Sequence, residues 1–130
     1  MLRRTARHVS QAYDKALDEV GLKTSQYMVL AHVERTEGLT ITQLARRLGL
    51  DRTTLTRNLQ PLVNAGWIRI SEAKDKRARA LYPTESGCTL VARAKPLWQK
   101  AEDAFRRSMG KTEVAELRRL LDTAVSETGA

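Results

Sequence analysis

With 130 residues, 42% of them hydrophobic but only 5% aromatic, the chain has the size of one domain and enough aliphatic side chains for a helical core. Its 23 Lys and Arg against 15 Asp and Glu leave a formal charge of +8 and a pI near 10.1, so polyanions are the expected partners, nucleic acid ahead of an anionic membrane. A single cysteine, Cys88, excludes an internal disulfide framework, and no apolar run approaches a membrane span, so the expectation is a cytoplasmic protein with no membrane partner.

Taken in order, Leu2, Ala6, Val9, Tyr13, Ala16, Leu17 and Val20 recur at spacings of three and four, which predicts an amphipathic helix over 1–20 stopped by Gly21. A second helix is expected from a Thr24 cap to about Glu37, with Gly38 breaking it. Thr40 and Gln43 form a capping box for a third helix whose Ile41, Leu44, Ala45 and Leu48 share one face. Gly49 ends it in a left-handed turn, and Asp51 caps the next helix, expected over about 51–65 with Gly66 at its end.

Two helices in so few residues must cross steeply, which is the helix-turn-helix arrangement whose second helix enters the DNA major groove. In that second helix Leu55, Leu59, Leu62 and Val63 cluster on one side, Thr53, Arg57, Gln60 and Asn64 lie opposite, and Thr54 and Thr56 sit on the flanks. An ordinary solvent-facing helix carries Glu and Lys, whereas this face carries hydrogen-bonding side chains suited to bases and phosphates, with no acid after the cap. Arg57 is the expected base reader, since its guanidinium suits guanine. The Pro61 ring predicts a kink near the end of the helix.

After Gly66, Trp67-Ile-Arg-Ile-Ser alternates as a short strand, Glu72 to Arg79 forms a charged tip, and Ala80 to Tyr82 returns, a wing over about 67–82 whose basic tip suits the minor groove. Between Ile41 and Ala80 nine Lys or Arg face three Asp or Glu, so the basic excess is concentrated on this region. Thr84 is expected to cap a long helix to about Ser108, bent at Pro96 and ended by Gly110. A last helix from Thr112 would present Val114, Leu117, Leu120, Leu121, Ala124 and Val125. The terminal helices, 1–20 and 84–127, flank the winged helix of 24–83 with more apolar surface than one small domain needs. Pairing of two copies into a homodimer accounts for it. The expected fold class is therefore mainly α with a small β-hairpin wing.

The order of elements and several motifs resemble the MarR family of bacterial transcription regulators over nearly the whole chain. They are Gly21-Leu22 with Thr24-x-Gln26-Tyr27, Leu44-Ala-x-x-Leu48-Gly, Asp51-Arg-Thr-Thr-Leu-Thr-Arg57, Leu62-x-x-x-Gly66-Trp67-Ile68, Asp75-x-Arg77 and Thr84-Glu-x-Gly87. The resemblance implies a homodimer with helical dimerisation regions, two winged helices on a palindromic operator, and repression. It maps major-groove contacts onto Arg52, Thr53, Thr54, Thr56 and Arg57, and a minor-groove contact onto Arg77 oriented by Asp75, with Lys76 and Arg79 on phosphate. It places a pocket for a small aromatic effector near Tyr13, Tyr27 and Trp98. The sequence departs from the family pattern at Glu72, where the wing often begins with Asp, and at Pro83, where Leu is usual.

Cys88 is expected to be a small packed hydrophobe, not a redox sensor. His8 and His32 lack metal-ligand spacing, and no phosphate loop, activated nucleophile or glycine fingerprint is present, so no metal, no cofactor and no enzyme activity is expected. The competing reading is a winged helix that binds DNA without sequence preference or holds another protein.

Overall fold

The computed structural model describes residues 2–75 and 78–128, with side chains described through residue 119 apart from those at 2, 3, 5, 6, 109–111, 114 and 117. In chain order the elements are α1 (Leu2–Leu17), a 3-10 turn (Asp18–Val20), α2 (Thr24–Arg35), β1 (Leu39–Thr40), α3 (Ile41–Leu48), α4 (Arg52–Asn64), β2 (Ile68–Ile70), β3 (Ala80–Pro83) and α5 (Glu85–Thr128). This is the expected mainly α architecture with a small antiparallel sheet.

Apolar spacing sets the core. Leu17, Leu22, Leu30, Leu44, Leu55, Leu59, Leu62, Ile68 and Leu81 come from six elements and the turn after α1, and all are essentially excluded from solvent. Burying each such side chain contributes roughly 1.5–3 kcal/mol. Leu90, Val91 and Ala94 dock the start of α5 onto this cluster.

Three elements, α2, β1 and α5, differ from the sequence expectation. The cap of α2 is Lys23, not Thr24: the Lys23 N–H donates to Gln26 Oε1 at 2.9 Å. Thr24 is instead turned toward α1, its N–H donating to Asp14 Oδ1 at 2.6 Å. β1 is a strand that two residues with no periodicity could not announce. It exists because β3 has a free edge: the sheet order is β1-β3-β2, with Leu39 opposite Leu81 and Thr40 opposite Ala80 on one side, and Ile68 to Ile70 opposite Pro83 to Leu81 on the other. α4 stays helical through Pro61 to Asn64.

Helical backbone in α5 likewise continues past Pro96, which donates no hydrogen bond of its own, and past Gly110 and Thr112, so neither the expected stop at Gly110 nor the expected Thr112 cap divides it into two helices. A helix-interior glycine costs only about 1 kcal/mol, too little to end a long helix by itself. The axis of α5 nevertheless changes direction. The Arg118 guanidinium meets the Glu102 carboxylate, although sixteen residues of straight helix would separate them by about 24 Å, beyond the combined reach of the two side chains. The C-terminal part of α5 therefore folds back toward α1. Its expected apolar face, Val114, Leu117, Leu120, Leu121, Ala124 and Val125, lies outside the described side chains.

An aromatic ladder ties α1, α2 and α5 together. Trp98 stacks on Tyr27 at 5.0 Å between ring centres and meets Tyr13 at 4.4 Å, and Tyr13 lies 6.4 Å from Phe105. Such pairs contribute about 0.5–1.5 kcal/mol beyond the area they bury. Glu102 closes the ladder, accepting from the Tyr13 hydroxyl at 3.4 Å while it pairs with Arg106 and Arg118.

The junction between wing and α5 is tight. Thr84 caps α5 by accepting from the Gly87 N–H at 3.1 Å, and the Thr84 N–H donates to Trp67 O at 3.0 Å. A Cβ on Gly87 would lie 2.1 Å from that same Trp67 carbonyl oxygen. Gly87→Ala is therefore expected to destabilise the fold by about 1–3 kcal/mol, the usual cost of overpacking. Urea denaturation would show a lower midpoint at unchanged slope.

Candidate nucleic-acid interface

The turn between α3 and α4 is built from short-range chemistry. Thr40 Oγ1 accepts from the Gln43 N–H at 3.1 Å and Gln43 Oε1 accepts from the Thr40 N–H at 3.0 Å, the reciprocal box expected from the sequence. Gly49 takes a left-handed φ of 66°, a conformation a side chain would oppose. Leu50 N–H then donates to Ala45 O at 2.9 Å, so the chain reverses without losing the last carbonyls of α3. Asp51 restarts the helix, its Oδ1 accepting from the Thr54 N–H at 2.6 Å.

On α4 burial and exposure separate cleanly. Leu55, Leu59 and Leu62 are buried, while Arg52, Thr53, Thr56, Arg57, Gln60 and Asn64 are exposed. The exposed residues Arg52, Thr53, Thr56, Arg57 and Gln60 line one open groove of about 720 Å³, closed on its far side by Ile41 and Arg79. Five side chains chosen on α4 and one chosen in the wing are thus brought to a single surface. Thr54 differs: it is half-buried, and its N–H and hydroxyl both serve the Asp51 carboxylate.

Arg79 is the junction between α4 and the wing. Its carbonyl accepts from the Ile41 N–H at 3.4 Å, and its side chain reaches both the α4 groove and a second groove bordered by Ser71, Glu72 and Lys74. Its Nε is shielded from solvent and has no hydrogen-bond partner among the described residues. Lys76 and Arg77 of the wing tip lie outside the described residues. Asp75 is exposed, and its carbonyl accepts from the Ala78 N–H at 3.0 Å. Sequence reasoning overlooked Arg69, which stands 4.7 Å over the Tyr82 ring on the wing face. The strand alternation that turns Ile68 inward was the signal that turns Arg69 outward.

Of the three residues expected near an effector pocket, Tyr13 lines an open groove of about 550 Å³ between α1 and α5, together with Ala12, Ala16, Leu97, Ala104 and Phe105 and the lysines Lys15 and Lys100. Tyr27 and Trp98 stack together beside it. Burial, and next the Glu102 charge, push the Tyr13 hydroxyl up to about 12. Cys88 is exposed on α5, which corrects the expectation that it is packed. Among the described residues no group of His, Cys, Asp and Glu is placed to hold a metal, and no helix is long and apolar enough to cross a membrane.

The family model described as MarR family matches residues 20–78. The regulator SarZ of Staphylococcus haemolyticus is 30% identical over 102 residues, covering 78% of this chain and 69% of SarZ. The chain belongs to the MarR family. Its relatives are transcriptional regulators, not enzymes. This MarR-family chain spans about two thirds of the length of curated relatives it matches, 66% of one and 69% of another. The crystal structure of the M. tuberculosis transcriptional regulator MosR in complex with DNA superposes with a TM-score of 0.81 at 34% identity, covering 95% of this chain and 89% of that one. The transcriptional repressor CouR bound to p-coumaroyl-CoA gives a TM-score of 0.78 at 25% identity, covering 97% and 89% of the two chains.

The Asp51 carboxylate is held below its ordinary value of 3.8, first by the Thr54 backbone N–H and then by the Thr54 hydroxyl. A depressed folded-state value means that the stabilisation is present above the unfolded value and is lost as pH falls through the folded one. Asp51→Asn keeps a capping acceptor but has no proton to take up. It is expected to flatten the acid limb of the stability profile below about pH 4 while leaving neutral-pH stability nearly unchanged, as thermal denaturation across pH 2 to 7 would show.

Proposed function

We propose that this chain is a sequence-specific DNA-binding regulator acting as a homodimer, repressing from a roughly palindromic operator and released by a small effector. The observation that carries the reading is the α4 groove, where Arg52, Thr53, Thr56, Arg57 and Gln60 share one exposed face with Arg79 across from them. Arg79 is half-buried between wing and α4 and borders this groove, so its guanidinium is placed to meet a phosphate oxygen. In this reading Arg57 reads a base edge, Arg52, Thr53 and Thr56 contact the major groove beside it, and Lys76 and Arg79 hold phosphates. Arg77 enters the minor groove with Asp75 orienting it. Thr54 contributes by fixing the cap, not by touching a base. The MosR complex with DNA supports this use of the fold.

Homodimerisation is assigned to α1 and α5, the regions 1–20 and 84–127. Two copies would set their α4 helices about 34–36 Å apart, one turn of duplex. The groove between α1 and α5, apolar with two lysines at its edges, is the candidate effector site, and the ligand in CouR supports the presence of one. Filling it would bias the spacing of the two reading heads.

Footprinting with the full chain is expected to protect one discrete palindrome, and sedimentation to give a dimer. Arg57→Ala is expected to lower discrimination against a changed base pair by about 1–3 kcal/mol with little loss on random DNA. Uniform, strongly salt-dependent protection by the unaltered chain would instead mark an architectural DNA-binding protein.

A further inference from the structure

The polar face of α4 is not a row of free side chains, because internal hydrogen bonds decide which atoms remain to meet a base. The Thr54 hydroxyl serves Asp51, and the Thr56 hydroxyl donates to Arg52 O at 2.8 Å, leaving a methyl group and oxygen lone pairs facing outward. The strongest restriction falls on Gln60, whose Nε2 donates to Asn64 Oδ1 at 2.9 Å. A free glutamine amide can turn over and exchange its oxygen for its nitrogen, so it reads donors and acceptors alike. Asn64 presents an acceptor to Gln60, one helical turn further along. In this pairing the Gln60 side chain is held against Asn64, with Oε1 and the second N–H left over. An acceptor beside a donor in one plane is the complement of adenine, whose N6 amino group donates and whose N7 accepts in the major groove.

We propose that Asn64 is a positioning residue for sequence readout, holding the Gln60 amide in the orientation that selects adenine. The proposal rests on the reading above that α4 lies in the major groove. Asn64 touches no base itself. It acts by restricting the side-chain rotamers of Gln60, both residues being exposed on the same face of the helix.

The test is selection of bound sites from random DNA by the full chain and by three variants. The unaltered chain is expected to show an adenine in each half-site that Gln60→Ala abolishes. Asn64→Ala is expected to reduce that adenine preference about threefold to tenfold, the effect of freeing one side chain, while preferences at the other positions stay. Asn64→Asp, whose carboxylate accepts the same N–H, is expected to restore it. Replacing that adenine by 7-deazaadenine, which lacks N7, should weaken the unaltered chain more than Asn64→Ala. The salt dependence of binding should not change in Asn64→Ala, because phosphate contacts are untouched. A discrete site whose adenine preference is the same in Asn64→Ala as in the unaltered chain overturns the role of Asn64 alone. Absence of any discrete site for the unaltered chain overturns both this role and the operator reading beneath it.

Discussion

Burial of Leu55, Leu59 and Leu62 is the constraint on which the reading head depends. All three are excluded from solvent, against α2 on one side and the sheet on the other. Turning α4 by one residue, about 100°, would bring polar side chains into that core and expose leucines, at a cost of several kcal/mol. The apolar edge therefore sets the azimuth of the polar edge. Asp51 and Gly49 fix where the helix starts, so the position along its axis is determined as well.

The small sheet extends the same platform. β3 is the central strand, so its residues feel both the wing hairpin and the start of α3. Arg79 enters that strand with its carbonyl on Ile41 and its side chain in the α4 groove, which is how a residue from the wing becomes part of the surface formed by the helix. The Gly87 contact beneath Trp67 then joins the wing to α5 with no space for adjustment.

On the other side, the ring ladder from Phe105 through Tyr13 and Trp98 to Tyr27 links α5 and α1 to α2, the helix that supports α4. Glu102 adds an ionic end, with its carboxylate shared by Tyr13, Arg106 and Arg118. The groove between α1 and α5 lies against this ladder, sharing Tyr13 and Phe105 with it.

Local chemistry makes much of this legible in the sequence. The Thr40 and Gln43 box, the Gly49 turn, the Asp51 cap, the two faces of α4 and the wing strands all depend on residues within a few positions of one another, and all stand in the fold as read. Elements whose existence depends on distant partners were not legible. β1 needs the edge of β3, and the Lys23 cap of α2 accompanies Thr24 being drawn to Asp14 on α1; the reversal of α5 falls between Glu102 and Arg118, the span in which the sequence predicts two helices to meet. The same division runs through the candidate site. Sequence periodicity by itself determined which side chains of α4 face outward, because a helix repeats every 3.6 residues whatever surrounds it. Tertiary structure alone decided that Arg79, expected on phosphate, borders the α4 groove, that Thr54 is drawn into the cap and that Gln60 meets Asn64. Hydrogen bonds are directional and short, so their partners are chosen by position in space and by rotamer, not by spacing along the chain.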